Sequence, residues 1–193
     1  MDLHGKRLIL GSGSPRRREL LAGLGVEFTV DTGNTFEERT DPAVPHWEIP
    51  VRMSEGKSLG FHRPLEPDEW LLTSDTLVLC GDLVLGKPHG REDAVRMLRT
   101  LSGRTHEVIT AVTLRDSDGH MKTLSDVTRV MFRPLTEAEI SYYVDRFKPF
   151  DKAGAYGIQE WIGYAGITGI EGSFYTVMGL PVHRVYELLS TGL

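Results

Sequence analysis

Apolar positions along this chain fall into short runs with two different periods. Leu8, Ile9 and Leu10 form a run that stops at Gly11-Ser12-Gly13, the pattern of a buried first strand. Ser14 then suits a helix N-cap and Pro15 the first helical position, with Leu20, Leu21 and Leu24 on one face and Gly25 as the stop. Val26, Phe28 and Val30 alternate as a second strand. Pro42, Pro45 and Pro50 mark a connector, after which Val51, Met53 and Lys57 fit a helix weakened by the interior Gly56.

The stretch LLTSDTLVLCGDLVLGKP holds two β-type runs, Leu77 to Cys80 and Leu83 to Leu85, around Gly81-Asp82, which reads as a tight hairpin flanked by Asp75 and Lys87. Helical spacing returns over 92–101 through Val95, Leu98 and Leu101, before Gly103. Two strands follow near 106–115 and 121–133, joined by the turn at 116–119. Thr136 and Glu139 make a T-x-x-E capping box, with Leu135 and Ile140 as a hydrophobic staple. A helix over 137–147 then buries Ile140, Tyr143, Val144 and Phe147. The glycine-rich 153–179 segment reads as irregular strands and functional loops, and Pro181 opens a last helix through Val185, Leu188 and Leu189. Strands and helices mix without repeats or a long linker, so the expectation is an α/β fold in one domain spanning 1–193.

Composition narrows the classes. The 193 residues are 40% hydrophobic and 25% charged, ordinary for a globular protein. A net charge of −5 gives no general attraction for nucleic acid or an anionic membrane, so any polyanion needs a local basic cluster. Cys80 is the single cysteine; it excludes an internal disulfide, fits a reducing compartment, and reads as packing. No run approaches the roughly 18 apolar residues of a membrane span. The expected setting is the cytoplasm.

One local rule is broken. The first turn of the opening helix carries Arg16, Arg17 and Arg18, where the helix dipole and free N–H groups favour acidic side chains. An anion held among those N–H groups and guanidinium forks resolves the conflict. Neither familiar phosphate loop is present: Arg16 stands where a dinucleotide fingerprint needs its third glycine, and Val51 where a Walker A loop needs its first.

The seven histidines form no close i, i+4 pair, so a metal is expected on oxygen. Glu37-Glu38 reads on its own as a solvated acidic loop. Ser74-Asp75-Thr76 interrupts an apolar run at what reads as a strand end, and a buried carboxylate there needs a partner or a metal. Lys57 and Lys87 each read equally well as surface residues. Trp47, Trp70 and Trp161 show no stacking pattern, and His106 and His183 receive no role.

Six ordered blocks carry a resemblance. They are Ser12 to Arg17, Ser74-Asp75-Thr76, Gly86-Lys87-Pro88, Leu101-Ser102-Gly103 with His106, Asp151 to Gln159, and Gly179-Leu180-Pro181. In order and spacing the chain resembles the Maf nucleoside triphosphate pyrophosphatases, within them the branch acting on dTTP and UTP. The resemblance implies hydrolysis between the α- and β-phosphorus, releasing the monophosphate and pyrophosphate with Mg²⁺ or Mn²⁺, on dTTP, UTP or modified pyrimidine triphosphates. It implies an elongated central mixed sheet flanked by helices, two lobes with a cleft, similar to the inosine triphosphate pyrophosphatases, and a homodimer. By motif, Asp75 is the proton acceptor, and Arg16, Thr76 and Gln159 govern substrate choice. Ser14, Arg16, Arg17, Lys57 and Lys87 contact phosphates, and Glu38 and Asp75 hold metal. The chain departs from the pattern at Glu160, where glycine is usual, at Phe174, where tyrosine is usual, and at Gly56 and Ser58, where alanine is common.

Two other functions remain. Gly-Ser-Gly-x-x-Arg after a first strand is also similar to sugar nucleotidyltransferases, which release pyrophosphate only when a sugar phosphate is added. A non-catalytic nucleotide-binding regulator of cell division binds without turnover.

Overall fold

The structure is a computed structural model and describes residues 3–39 and 43–193. Pro42, one of the connector prolines, lies outside the described residues. In chain order the elements are β1 (Arg7–Leu10), α1 (Pro15–Gly23), β2 (Phe28–Val30), α2 (Ile49–Leu59), β3 (Glu69–Cys80), β4 (Leu83–Leu85) and α3 (Arg91–Leu101). There follow β5 (Thr105–Arg115), β6 (Met121–Phe132), α4 (Glu137–Phe147), α5 (Trp161–Gly166), β7 (Ile167–Glu171), α6 (Phe174–Met178) and α7 (Val182–Thr191). The described strands form a seven-stranded mixed sheet in the order β2-β1-β3-β5-β6-β7, with β4 paired to β3. The α/β expectation holds. No helix of the described residues is long and apolar enough to cross a membrane.

The chain divides into two compact units. One comprises the chain up to Asp75 with Thr110–Asp126 and Gly179–Leu193, and the other Thr76–Ile109 with Val127–Met178. In the first unit β1 lies between two parallel neighbours, with Leu8 opposite Phe28 of β2 and Trp70 of β3. A strand flanked on both sides and covered on both faces reads as an unbroken apolar run, and Leu8, Ile9 and Leu10 are all buried. Ile9 joins Phe61, Leu65 and Leu71 in one core cluster. Pro50 belongs to α2 and not to the connector, because its missing N–H falls in the first turn, where no intrahelical acceptor is needed.

In the second unit β3 turns back into β4 at Gly81-Asp82, with Val78 opposite Leu85, as the hairpin pattern predicts. The capping box at the start of α4 is present: Thr136 accepts from the Glu139 N–H while Glu139 accepts from the Thr136 N–H. Arg133 pairs with Glu139 as well, and that pairing, with the Thr136 hydrogen bonds, pulls the carboxyl down to about 2. The 153–179 segment is more helical than expected, since α5 and α6 occupy it beside β7. Both helices are too short to show an apolar period, so the glycines dominate the pattern.

His106 on β5 is buried against the Phe132 and Tyr156 rings. Its Nε2 shares a 2.7 Å hydrogen bond with the Tyr156 hydroxyl, and its Nδ1 is buried without a hydrogen-bond partner. Burial disfavours the imidazolium and lowers this pKa from 6.5 to about 4. Between those values the unfolded chain binds the proton and the native chain does not, so native stability falls as pH drops through that window. The expected loss is on the order of 3 kcal/mol between pH 7 and pH 4. Urea unfolding of wild type and His106→Phe at pH 7, 5.5 and 4 checks it: the variant should show a shallower pH slope, and equal slopes would remove His106 as the cause.

Candidate active site

The first unit gathers six of the residues expected at the site: Ser14, Arg16, Arg17, Glu38, Lys57 and Asp75. Strand β1 ends at the Gly-Ser-Gly turn, and Ser14 caps α1 with its hydroxyl oxygen accepting from the Arg17 N–H at 3.4 Å. Ser14, expected at phosphate, is therefore also a helix cap. The Arg17 side chain turns back across the unit. Its Nε donates to the Gly179 carbonyl at 2.8 Å and its Nη1 to the Ser74 carbonyl at 2.9 Å. Ser74 donates to that same Gly179 carbonyl at 3.3 Å. Arg17 thus ties the start of α1 to the residue before Asp75 and to the loop before α7. Burial pulls its guanidinium below the ordinary arginine value while Asp75 acts in the opposite direction. An arginine remains a fixed cation across any working pH. Arg16, in the same helical turn, is half-buried.

Asp75 lies within β3, not at a strand end as its sequence neighbours imply. The strand runs on through Thr76 to Cys80 despite the polar triplet, because hydrogen bonding to neighbouring strands outweighs local polarity. Side chains two apart share a strand face, which puts Thr73 and Asp75 on one side of β3. Helix α2 packs there through hydroxyls. Ser54 Oγ donates to the Thr73 carbonyl at 3.2 Å, Thr73 Oγ1 donates to the Ser54 carbonyl at 2.8 Å, and Ser54 and Thr113 share a hydrogen bond of 2.8 Å. One turn later Arg115 grips Ser58, donating to its hydroxyl at 3.0 Å and its carbonyl at 2.7 Å.

Between those serines sits Lys57, three residues from Ser54 and so on the same helix face. Its Nζ lies 2.6 Å from Asp75 Oδ1 and 2.9 Å from Glu38 Oε1. The Lys57 and Asp75 side chains are only 19% and 17% exposed, against 59% for Glu38, so the pair is sheltered and the glutamate closes its outer side. Lys57 is therefore no surface lysine, and Glu38 no merely solvated loop residue.

Glu38 reaches Lys57 because its loop wraps the end of α2. Asn34 Nδ2 donates to the Lys57 carbonyl at 2.6 Å, and the Thr35 N–H donates to the Gly60 carbonyl at 2.8 Å. His62 hydrogen-bonds Asp31 at 3.0 Å and holds its carboxyl below the usual range. Phe36 lies against α2 at Gly56, where an added Cβ would come within 2.3 Å of its ring. The interior glycine that weakens α2 as a sequence is thus the notch that lets the acidic loop close on Lys57.

The second unit holds the remaining expected residues. Thr76 follows Asp75 in β3 and is half-buried, and Lys87, after β4, is exposed. Gln159 is half-buried, and its Oε1 is buried without a hydrogen-bond partner. Glu160 beside it is neutralised: Lys152 Nζ lies 3.1 Å from Oε1, and the Tyr143 hydroxyl donates to Oε2.

A further group of potential ligands lies in the turn at 116–119, where the acidic residues read only as turn formers. Asp116, Asp118 and His120, in the turn between β5 and β6, bring ligand atoms within 4.8 Å of one another. A D-x-D-x-H spacing was the signal. Asp116 already accepts from the N–H groups of Asp118 and His120 and from the His120 ring, which accounts for the cluster as a turn lock.

Comparison with known proteins decides the family. The family model described as Maf-like protein matches residues 7–192. This chain belongs to the Maf-like protein family. Two Maf-like relatives named dTTP/UTP pyrophosphatase are similar to it almost end to end. The one from Phocaeicola vulgatus is 46% identical over 188 residues, covering 97% of each chain. The one from Bacteroides thetaiotaomicron is 47% identical over 180 residues, covering 93% of each. Among solved structures, a nucleoside-triphosphatase / dITP/XTP pyrophosphatase from Mycobacterium abscessus aligns at TM-score 0.40 and 10% identity, over 67% of this chain and 75% of that one. That likeness is too distant to bear on the function of the Maf-like chain.

The Phe36 notch makes a stability prediction for this Maf-like protein. Gly56→Ala gains about 1 kcal/mol of helix propensity but overpacks the Phe36 ring at a cost of about 1–3 kcal/mol. In wild-type background the change should therefore destabilise, and in a Phe36→Ala background it should stabilise. Urea midpoints of the four proteins read the sign reversal; the same sign in both backgrounds would mean that Phe36 does not need the notch.

Proposed function

We propose that this chain hydrolyses dTTP and UTP, or modified pyrimidine triphosphates of the same shape, to the monophosphate and pyrophosphate by attack of water at the α-phosphorus. The observation that carries the reading is the sheltered Lys57–Asp75 pair with Glu38 on its outer side. It stands in a chain whose full-length relatives are named for that reaction.

In this reading Asp75 takes the proton of the attacking water on a carboxylate oxygen, with the carboxylate oriented by Lys57 at Oδ1. Displacement at a triphosphate is limited by charge on the phosphoryl oxygens, and Arg16, Arg17 and Lys57 supply fixed positive charge against it. Ser14 and Lys87 are assigned phosphate contacts. A carboxylate alone is a weak base toward bulk water, and a divalent cation, Mg²⁺ or Mn²⁺, supplies the acidity of a bound water and neutralises phosphate charge when bound. Glu38 and Asp75 suit it. Two carboxylates from separate segments already converge on one cationic nitrogen, and paired carboxylate oxygens are what a hard cation takes.

Arg16, Thr76 and Gln159 are assigned to substrate choice. Gln159 is half-buried, and its amide offers an acceptor and a donor that match the N3–H and O4 of thymine or uracil. Adenine presents the reverse pattern on that edge; guanine presents the same one, so its exclusion rests on contacts other than this amide. The reading extends to a homodimer working in the cytoplasm.

Purified protein with Mg²⁺ or Mn²⁺ and a panel of triphosphates, assayed for pyrophosphate against orthophosphate, tests the reaction. Pyrophosphate release with no added sugar phosphate distinguishes hydrolysis from nucleotidyl transfer, and binding without turnover would leave only a regulator. Asp75→Asn should fold, bind nucleotide and lose at least about 100-fold in kcat; retention of more than about a tenth would remove it as the base. The kcat/KM for dTTP and UTP should exceed those for GTP and ATP by at least about 10-fold, and Gln159→Ala should shrink the gap. Equal rates on all four would defeat the pyrimidine assignment and leave the pyrophosphatase standing.

A further inference from the structure

The segment that carries Gln159 is held in a conformation it would not adopt by itself. Ala155 sits at φ +60, the left-handed region that a side chain with a Cβ avoids. The segment is anchored at several points within the second unit. The Gly154 N–H donates to the Gly86 carbonyl at 3.0 Å, and the Tyr156 hydroxyl is bonded to buried His106 at 2.7 Å. Around Gln159 itself the turn is closed twice. The Glu160 N–H donates to the Gly157 carbonyl at 3.0 Å, and the Gly157 N–H donates to the Tyr143 hydroxyl at 3.0 Å.

That hydroxyl in turn donates to Glu160 Oε2, and Lys152 Nζ meets Glu160 Oε1 at 3.1 Å and Asp151 at 2.8 Å. One phenol oxygen therefore receives the backbone on one side of Gln159 and gives its proton to the carboxylate on the other. Gly157 is closely enclosed by the same groups, since an added Cβ would meet the Glu160 carboxyl at 3.0 Å and the Lys152 side chain at 3.1 Å. Burial and the neighbouring carboxylate both raise the Tyr143 pKa, so the hydroxyl stays protonated and donating at any working pH.

We propose that Tyr143, Glu160 and Lys152 form a clasp that positions Gln159 and thereby sets the discrimination between bases. None of the three touches the substrate; they are positioning residues, acting by fixing the backbone at Gly157 and Glu160 on either side of Gln159. A buried donor or acceptor discriminates only when it cannot move to suit the wrong ligand. The inference rests on the reading that Gln159 contacts the base.

The test is the ratio of kcat/KM for dTTP to that for ATP, measured with the melting temperature. Tyr143→Phe keeps the ring and loses the hydroxyl; Glu160→Ala removes the carboxylate; Glu160→Gln keeps an acceptor. The expected result is a fall of at least about 5-fold in the ratio for Tyr143→Phe and for Glu160→Ala, and recovery of at least half of it in Glu160→Gln. In a Gln159→Ala background neither change should lower the ratio further. Either of the first two variants that folds decides the matter. A lower melting temperature with the ratio held within about twofold, while Gln159→Ala still collapses it, would make the clasp structural only. A ratio that keeps falling in the Gln159→Ala background would show action by another route and overturn the proposal. A ratio indifferent to Gln159→Ala alone would overturn the base-reading assignment, and the clasp with it.

Discussion

One ammonium group organises the first unit. Lys57 Nζ sits between Asp75 of β3 and Glu38 of the loop after β2, joining three separate parts of the chain at 2.6 and 2.9 Å. Two carboxylates brought near each other repel, and a cation between them offsets that repulsion, most strongly for the sheltered Asp75. The hydroxyl contacts of Ser54 and the Arg115 grip on Ser58 fix α2 on the sheet, and so fix where that cation stands. Arg17 holds the same region from the other side through carbonyls of Ser74 and Gly179.

The arginine-rich opening of α1 follows from the same need. Asp75 and Glu38 both bear on the charge of Arg17, with Asp75 the stronger. An arginine in the first turn of a helix opposes the dipole and loses hydration, and nearby carboxylates together with well-placed carbonyl acceptors offset those costs. The violation seen in the sequence is thus resolved partly by the protein itself.

Much of the fold was legible because its signals are local. The run Leu8 to Leu10, the Ser14-Pro15 start, the hairpin at Gly81-Asp82 and the Thr136-Glu139 capping box each depend on neighbours within a few residues. Asp75 was legible because a carboxylate inside an apolar run is costly without a partner, although the partner was not. Lys57 and Asp75 are separated by 18 residues and meet only through the register of a helix on a strand. Phe36 and Gly56 are matched only by loop closure, so the glycine read as a weakness. Glu160 looked like an added charge because Lys152 and Tyr143, which neutralise and hold it, come together only in the folded unit. Helices α5 and α6 escaped for a different reason, being too short for a periodic signal.

The 2.6 Å contact predicts that Lys57 and Asp75 act as one unit and not as two independent contributors. A double-mutant cycle on kcat/KM for dTTP, built from Lys57→Met, Asp75→Asn and the double variant, measures this directly. If the pair is a unit, the loss in the double variant should be at least about 10-fold smaller than the product of the two single losses, because the part of Lys57's contribution made through Asp75 can be lost only once. Losses that multiply across the two sites, leaving no coupling between them, would show that Lys57 and Asp75 act separately.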